Sequence, residues 1–303
     1  MKYIIASRGS KLALWQAQYV QQLLQIRYRD HEWTIQTFTT TGDRFLNKPL
    51  SEFGGKGAFL KEIEDALMKG EAHLAVHSLK DVPAQETKGL QITAFLKRED
   101  PRDVWISHQG EFLYFPKGQK VGTSSLRRQV LIRLYRPDVK VELLRGNLDT
   151  RIRKLNEGQY DAIVVAAAGL QRLQLFDSRY MHFLSEDAFV PAPGQGILCV
   201  QIPEGNEKLG QMVRELNDSI TEEAGRMERK FLSLFHGGCH LPIGALATRE
   251  KKEWHFRGLL GGVKSGKVIQ ESIRQTDLAG CPELLAQKLN ELGAEELLAE
   301  VEA

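Results

Sequence analysis

The chain has 303 residues, 42% hydrophobic and 26% charged, which is the composition of a globular protein with two or three domains. Its formal net charge is +2, so no strong overall field favours a nucleic-acid or membrane partner. No apolar run approaches the roughly 18 residues of a membrane span, and residues 1–8 resemble a strand, not a signal peptide. We therefore expect a cytoplasmic protein.

Short apolar runs alternate with amphipathic stretches over the first two thirds of the chain. The pattern predicts strands at 3–6, 33–39, 73–79, 120–122, 139–144 and 162–167, and helices at 11–24, 58–69, 125–135 and 149–156. Leu12, Trp15, Tyr19 and Leu23 form one stripe of the first helix. This alternation predicts mostly parallel sheets covered by helices. The sequence shows no repeat of fixed period.

The last third of the chain has a different pattern. Ser219 and Glu222 form a capping box that opens a helix, and Gly237 and Gly238 are expected to end it. The predicted elements here are helices at 219–235 and 282–301 and strands at 253–263 and 267–275. Because strands and helices are segregated, this part predicts a small separate α+β domain.

One long connection stands out between the second strand and the second helix. Residues 40–57 are rich in glycine and polar side chains. The stretch is too long for a tight turn, and long connections in compact domains are often functional. The sequence therefore predicts a binding loop or a mobile lid here.

Arginine recurs where predicted strands end and helices begin. Such a junction offers free backbone N–H groups and the positive end of a helix dipole, and a guanidinium adds a fork that fits carboxylate or phosphate. The residues concerned are Arg8, Ser10, Thr123, Ser125, Arg127, Arg128, Arg145 and Arg151. Any one arginine could instead be a solvated surface side chain. Three such junctions favour an anion site, and the absence of a Walker-type loop argues against a nucleotide.

A second candidate follows the strand at 73–79, since the carboxyl ends of strands face the ligand crevice in open α/β sheets. Asp81, beside Lys80, could stabilise a developing cation or move a proton. The alternative is an ordinary turn with a capping aspartate. We interpret His77, in the same segment, as a structural histidine.

The three cysteines are widely spaced, which argues against a disulfide framework and a zinc site and predicts a reducing compartment. Cys199 lies in an apolar run and is expected in the core, whereas Cys281 is expected at the surface. Cys239 follows two glycines and is accessible by local geometry, although a buried thiol is equally open. Its neighbour His240 does not imply a catalytic pair.

Together these segments resemble the porphobilinogen deaminase family over nearly the whole chain. The matching segments, in the family's order, are 7–17 (SRGSKLALWQA), 54–59 (GGKGAF), 75–83 (AVHSLKDVP), 98–103 (REDPRD), 121–128 (VGTSSLRR), 144–147 (LRGN), 193–196 (PGQG) and 237–239 (GGC). The resemblance implies two doubly wound α/β domains like those of periplasmic binding proteins, plus a small α+β C-terminal domain. Domain 1 is expected to comprise 1–96 and 193–216, domain 2 residues 97–192, and domain 3 residues 217–303.

The resemblance also implies the chemistry. A transferase of tetrapyrrole (haem) biosynthesis would join four porphobilinogen molecules with loss of ammonia, primed by a dipyrromethane cofactor on a Cys239 thioether, and would release hydroxymethylbilane by hydrolysis. Asp81 would be catalytic. Expected cofactor contacts, besides Cys239, are Lys80, Thr123, Ser125, Arg127 and Arg128, and expected substrate contacts are Arg8, Ser10, Gln16, Phe59, Arg145, Arg151 and Arg172. No metal, a monomeric state and a hand-off to the next pathway enzyme are also expected.

Some positions depart from the family's pattern, and two other functions stay open. Glu52 stands where bacterial relatives often have lysine, which puts a direct substrate contact there in doubt; His240, Pro193 and Leu79 also differ. A non-catalytic, two-lobed anion-binding protein would explain the arginines but not the appended cysteine. A transferase with Cys239 as a thiol nucleophile would keep that thiol free.

Overall fold

A computed structural model describes residues 1–44, 60–235 and 241–302. The strands in these ranges form three sheets, two of five strands and one of three. The predicted fold class is confirmed, because two doubly wound α/β sheets are followed by a small α+β unit. Most of the predicted connection at 40–57 lies outside the described residues, so its interpretation as a lid stays a prediction.

The strands and helices predicted for the first two thirds of the chain are present, but the pattern missed several further elements there, among them Leu90–Phe95, Asp103–Ile106, Ala167–Arg172 and Met181–Phe183. In chain order the helices and strands are β1 (Lys2–Arg8), α1 (Lys11–Arg27), β2 (Glu32–Phe38), α2 (Thr41–Arg44), α3 (Lys61–Met68), β3 (Leu74–Ser78), β4 (Leu90–Phe95), β5 (Asp103–Ile106), β6 (Lys120–Gly122), α4 (Leu126–Tyr135), β7 (Lys140–Glu142), α5 (Leu148–Asn156), β8 (Ala162–Ala166), α6 (Ala167–Arg172), β9 (Met181–Phe183), β10 (Leu198–Pro203), α7 (Glu207–Arg214), α8 (Ser219–Leu234), β11 (Ile243–Glu250), β12 (Glu253–Gly261), β13 (Val268–Gln275), α9 (Cys281–Glu291) and α10 (Ala294–Glu302). A single 3-10 turn, Leu79–Asp81, follows β3.

The first two sheets share one strand topology, although the sequence shows no repeat. Their orders are β2-β1-β3-β10-β4 and β7-β6-β8-β5-β9. In each sheet the first three strands are parallel and the fourth runs antiparallel to them. Parallel strands joined by crossover helices end at the same edge of a sheet. The loops that carry the candidate residues therefore gather at one edge of each sheet.

The first helix begins where the sequence predicts, and its buried face overlaps the predicted stripe only in part. Ser10 caps it, its Oγ accepting a hydrogen bond of 3.3 Å from the backbone N–H three residues on. The residues packed into the core are Ala17, Val20 and Leu24, whereas Tyr19, in the predicted stripe, is exposed. The predicted stripe is correct in part, because Trp15 and Leu23 are half-buried and pack against this core, whereas Tyr19 stacks on Trp15 from outside.

Several predictions for the last third need correction. The cap of α8 is Asp218 rather than Ser219, since the Asp218 carboxylate accepts from the N–H of N3. The predicted C-terminal helix is two helices, broken at Gly293, which adopts a φ of 94°. Cys281 is buried, not at the surface, because it packs with the core between α9 and the third sheet. Strand β11 was not predicted at all.

The third sheet packs on both α8 and the second sheet's layer. Phe231 of α8 contacts Leu285 of α9 across Gly258, where an added Cβ would lie 2.8 Å from either side chain. On the other side, Gly261 of β12 approaches Val130 of α4 so closely that a Cβ would lie 2.6 Å away. The third sheet thus presses against the helix whose first turn carries two candidate arginines.

Two crossover segments, residues 96–103 and 190–198, connect the first two sheets side by side. The Leu96 N–H donates to the Leu198 carbonyl at 2.9 Å, and the Glu99 N–H donates to the Gly196 carbonyl at 3.2 Å. Gly196 has a φ of 88°, and a Cβ there would lie 2.5 Å from the Glu99 carbonyl oxygen. Only glycine permits this approach, so the two crossovers form one paired strip.

A buried carboxylate of α8 joins both crossovers to the third sheet. Glu228 is fully buried and accepts from both Nη atoms of Arg98, at 2.5 and 3.1 Å. It also accepts from the N–H groups of Gly194, at 2.7 Å, and Ala247, at 2.8 Å. A single side chain therefore fixes the outgoing crossover, the returning crossover and β11.

Replacing this carboxylate should weaken the whole assembly. We expect Glu228→Gln to lower the free energy of unfolding by about 3–5 kcal/mol, because the Arg98 guanidinium would stay buried without its counter-charge. Urea denaturation of the variant measures the change, with Glu291→Gln as the control, since Glu291 is an exposed residue of α9. Equal unfolding midpoints for the two variants would contradict the role of Glu228.

Candidate active site in a cationic cleft

A cavity of about 290 Å³ lies where the loops of the first and second sheets meet. Segments that follow β1, β3, β6, β7 and β8 line it, as expected for the carboxyl ends of parallel strands. The described residues of its wall are Arg8, Ser10, Leu12, Gly42, Ser78, Lys80, Asp81, Ser124, Arg128, Arg145, Gly146, Asn147, Leu148, Arg151, Val165, Ala166, Ala168, Gly169, Arg172 and Gly196.

The charge of this wall is strongly unbalanced. Among the described lining residues six are lysine or arginine, and Asp81 is the single acid. Burial, together with the positive charges of Arg128 and Arg145, lowers the pKa of Arg151 to about 10. Like charges gathered in a partly desolvated site repel one another unless anions join them. The cleft is therefore built to receive a ligand with several negative groups.

Lys80 and Asp81 reach the cleft from the 3-10 turn that ends β3. The Lys80 Nζ donates to Gln195 Oε1 at 3.2 Å. Burial lowers the pKa of Lys80 to about 8; nearby Arg128 lowers it further, while Asp81 acts in the opposite direction. Asp81 also favours the charged forms of Arg151 and Arg172. One exposed carboxylate thus stands among at least three cations.

Asp103, the first residue of β5, lies beneath the surface of the cleft and balances the charges of Arg127 and Arg128. It is fully buried and accepts 2.8 Å hydrogen bonds from Arg127 Nη2, Arg128 Nη2 and Gln195 Nε2. The two guanidiniums hold the pKa of Asp103 far below its ordinary value, despite the opposing effect of burial. Because Gln195 Oε1 faces Lys80, one amide links the lysine of the first sheet to the arginines of the second.

Arg172 closes the cleft near the crossovers. Its side chain is buried, its Nη2 donates to the Gly196 carbonyl at 3.1 Å, and its Nε lies 2.9 Å from Glu99 Oε2. Burial lowers the pKa of Arg172, and the Glu99 carboxylate opposes that effect. The predicted substrate arginine is therefore already paired with a carboxylate of the outgoing crossover.

The predicted site residues fall into three groups. Lining the cleft are Asp81, Lys80, Arg128, Arg8, Ser10, Arg145, Arg151 and Arg172. Four predicted residues do not line the cleft but lie beside residues that do. Thr123, Ser125 and Arg127 lie at the start of α4, and Gln16 is a buried residue of α1. Cys239 and Phe59 lie outside the described residues. None of these placements tests a role, so the roles stay predictions.

The predicted residues that do not line the cleft make hydrogen bonds that orient the residues lining it. Ser125 caps α4, accepting from the Arg128 N–H at 3.4 Å, and Thr123 Oγ1 accepts from the Ser125 N–H at 3.2 Å. Gln16 Nε2 donates to Ser78 Oγ at 3.1 Å, and Ser78 lines the cleft. These polar groups shape the cleft through the helix starts.

Several lining residues were missed by the sequence reasoning. Ser124 lies within a quoted motif, and Asn147 occupies the N-cap position of α5, a position favoured by asparagine and signalled by its sequence. Ser78 also lies within a matching segment (75–83), whereas Gly42 carries no such signal, because only the tertiary fold brings it to the cleft.

Metal-binding clusters and membrane-spanning helices are both absent from the described residues. No group of three or more histidine, cysteine, aspartate or glutamate side chains in these ranges could hold a metal ion. Within residues 1–44, 60–235 and 241–302, no helix has the length and apolarity needed to cross a membrane.

Comparison with known families matches the cleft-forming part and the third sheet separately. The family model described as "Porphobilinogen deaminase, dipyromethane cofactor binding domain" matches residues 3–211, and its C-terminal domain model matches residues 223–292. The chain belongs to the porphobilinogen deaminase family. The resemblance inferred from the motifs is thereby confirmed.

Named members of the porphobilinogen deaminase family match over nearly their full length. The porphobilinogen deaminase of Syntrophotalea carbinolica is 42% identical over 97% of this chain and 94% of its own. That of Methylobacillus flagellatus is 44% identical over 98% of this chain and 96% of its own. Among solved structures, the BvgS periplasmic VFT2 domain of Bordetella pertussis aligns at 16% identity and a TM-score of 0.43, covering 71% of this chain and 86% of that one.

The Asp103 network predicts a specific loss of stability. We expect Asp103→Asn to lower the free energy of unfolding by about 3–5 kcal/mol at neutral pH, because two buried guanidiniums lose their shared carboxylate. Since the folded-state pKa of Asp103 is depressed, its contribution is complete above the ordinary value of about 4 and declines as the pH falls below it.

Denaturation of the wild type and Asp103→Asn between pH 7 and pH 3 measures this difference. Asp65→Asn is the control, since Asp65 is an exposed residue of α3 and should change stability little. A wild-type advantage that stayed constant down to pH 3 would show that the Asp103 carboxylate is not its source.

Proposed function

We propose that this chain is a porphobilinogen deaminase (hydroxymethylbilane synthase). It joins four porphobilinogen molecules with loss of ammonia and releases hydroxymethylbilane by hydrolysis, in tetrapyrrole (haem) biosynthesis. The observation that carries the proposal is the match of residues 3–211 to the dipyromethane cofactor binding domain, on a chain whose described cleft residues include six cations and one carboxylate.

A dipyrromethane cofactor fits the residues present. Its carboxylates need cationic partners, and the buried Nε atoms of Arg127, Arg128 and Arg172 have no aligned hydrogen-bond acceptor in the part of the chain that the structure describes. Cys239, between α8 and β11, would carry the cofactor as a thioether. Lys80, Thr123, Ser125, Arg127 and Arg128 would hold it. When bound, it supplies the terminal pyrrole to which the first substrate ring is joined.

The substrate is expected to meet the remaining cations. Each porphobilinogen ring bears two carboxylates, so the growing chain is a polyanion that needs several guanidinium partners. The residues proposed to bind it are Arg8, Ser10, Gln16, Phe59, Arg145, Arg151 and Arg172. Because Arg145 and Arg151 flank the start of α5, they add charge to the positive end of a helix dipole.

Asp81 is the proposed catalytic residue. When ammonia leaves the aminomethyl carbon, the porphobilinogen ring becomes a cation conjugated with its pyrrole nitrogen. A fixed carboxylate stabilises that developing charge, and it can accept a hydrogen bond from the ring N–H. Asp81 can also pass a proton between the leaving amine and the product ring.

The domain arrangement and cellular context complete the proposal. The three sheets support domain 1 as residues 1–96 and 193–216, domain 2 as 97–192 and domain 3 as 217–303. We propose a cytoplasmic monomer that hands hydroxymethylbilane to the next pathway enzyme. Two cysteines among the described residues, Cys199 and Cys281, are unpaired, which agrees with a reducing compartment.

Intact mass is the decisive test of the cofactor. Protein expressed with porphobilinogen available should exceed its sequence mass by one dipyrromethane and should colour with Ehrlich's reagent. Cys239→Ser should abolish both signals, whereas Cys199→Ser, in the core, should keep them. A wild-type mass equal to the bare chain, with Cys239 free to alkylate, would instead support a thiol-nucleophile transferase.

Asp81→Asn separates catalysis from cofactor binding. The variant should keep the cofactor mass but lose most turnover, with kcat reduced by about 100-fold or more, because a neutral amide stabilises the cation poorly. Porphobilinogen consumption by holoprotein of measured cofactor content provides the rate. Wild-type kcat in this variant would rule out the proposed role of Asp81.

A further inference from the structure

The motif at 98–103 matches the family but has no part in the chemistry described above. Three charged side chains of this motif pair with residues outside it. Arg98 pairs with Glu228, Glu99 pairs with Arg172, and Asp103 pairs with Arg127 and Arg128. Asp100 pairs with Arg102, inside the motif. One short crossover segment thus sends two carboxylates toward arginines of the cleft.

These two carboxylates hold their arginines in different ways. Asp103 is fully buried, and its three partners lie at 2.8 Å in aligned hydrogen bonds. The Glu99 side chain is 31% exposed. Its Oε2 lies 2.9 Å from Arg172 Nε, yet neither atom has an aligned hydrogen bond within the described residues.

This contrast decides which carboxylate can be exchanged. Removing Asp103 from its guanidiniums would leave charges buried and unpaired, which is strongly unfavourable. Glu99 can turn into solvent at a smaller cost, because its side chain is already 31% exposed and its contact with Arg172 is poorly aligned. Arg172 stays in place when Glu99 leaves, since its Nη2 is held by the Gly196 carbonyl.

We propose that Glu99 is an exchangeable counter-ion of Arg172, which a carboxylate of the incoming substrate displaces. The inference rests on the proposed function for the identity of that substrate. Glu99 neutralises Arg172 before the substrate binds and competes with the substrate carboxylate for it. It is a positioning residue and not a catalytic one, because it acts through Arg172.

The sign of the effect distinguishes this role from a structural one. Glu99→Gln removes the competing charge, so the holoenzyme should bind porphobilinogen more tightly. We expect KM to fall about threefold or more at low ionic strength, with kcat unchanged or lower, and the gain should shrink as salt screens the charges. Asp100→Asn is the matched control: same segment, same type of change, and no contact with the cleft.

A second measurement does not depend on turnover. Succinate, as a simple dicarboxylate, should raise the Tm of Glu99→Gln more than that of the wild type or Asp100→Asn. If the wild type consumes no porphobilinogen, the proposed function fails while the succinate comparison still tests Glu99.

Two outcomes would overturn the counter-ion role. One is an unchanged KM together with an unchanged succinate response in Glu99→Gln. The other is a raised KM, which would mean that Glu99 holds Arg172 for the ligand instead of competing with it. If Glu99→Gln does not fold, Glu99→Asp, which keeps the charge but shortens its reach, must lower KM in the same direction.

Discussion

Positive charge held in a confined cleft is the constraint on which the rest of the structure depends. Guanidiniums and an amine converge there from the ends of several strands, and partial burial makes their mutual repulsion costly. The chain answers this with carboxylates of its own, supplied from behind by Asp103 and at the edge by Glu99. These carboxylates offset part of the repulsion among the cations of the cleft.

The paired crossover segments, residues 96–103 and 190–198, contribute both to the stability of the fold and to the position of the cleft residues. Asp103 and Gln195 stand on opposite strands of this paired strip, and together they join the arginines of the second sheet to Lys80 of the first. From the third unit, Glu228 holds the same strip through Arg98 and Gly194. A change in the angle between the two sheets must pass through these contacts, so the geometry of the cleft and that of the third unit are coupled.

Local sequence signals predicted much of this architecture, but they did not predict contacts between residues that are distant in sequence. Strand ends, helix caps and the arginines at the junctions are written in short segments, which is why Arg128 and Arg151 could be proposed as ligand contacts. The partner of Arg128 could not, because Asp103 lies 25 residues away and Gln195 a further 92 from Asp103. Nothing local marks either residue as part of one network. The buried position of Cys281 was missed for the same reason: its neighbours come from the facing sheet.

The shared topology of the two α/β sheets has a consequence for how the protein is made. Strand β4 pairs only with β10 in the first sheet, and β10 begins at Leu198. During synthesis from the amino terminus, β3 and β4 therefore lack β10, the strand between them, until the whole second sheet has emerged from the ribosome. The first sheet cannot be completed before that point. The second sheet, contiguous from Asp103 to Phe183, can close first. The strands of the amino-terminal sheet are therefore synthesised first, but the sheet is completed after the second one. Until then its unpaired strand edges are exposed to chaperones and to mispairing.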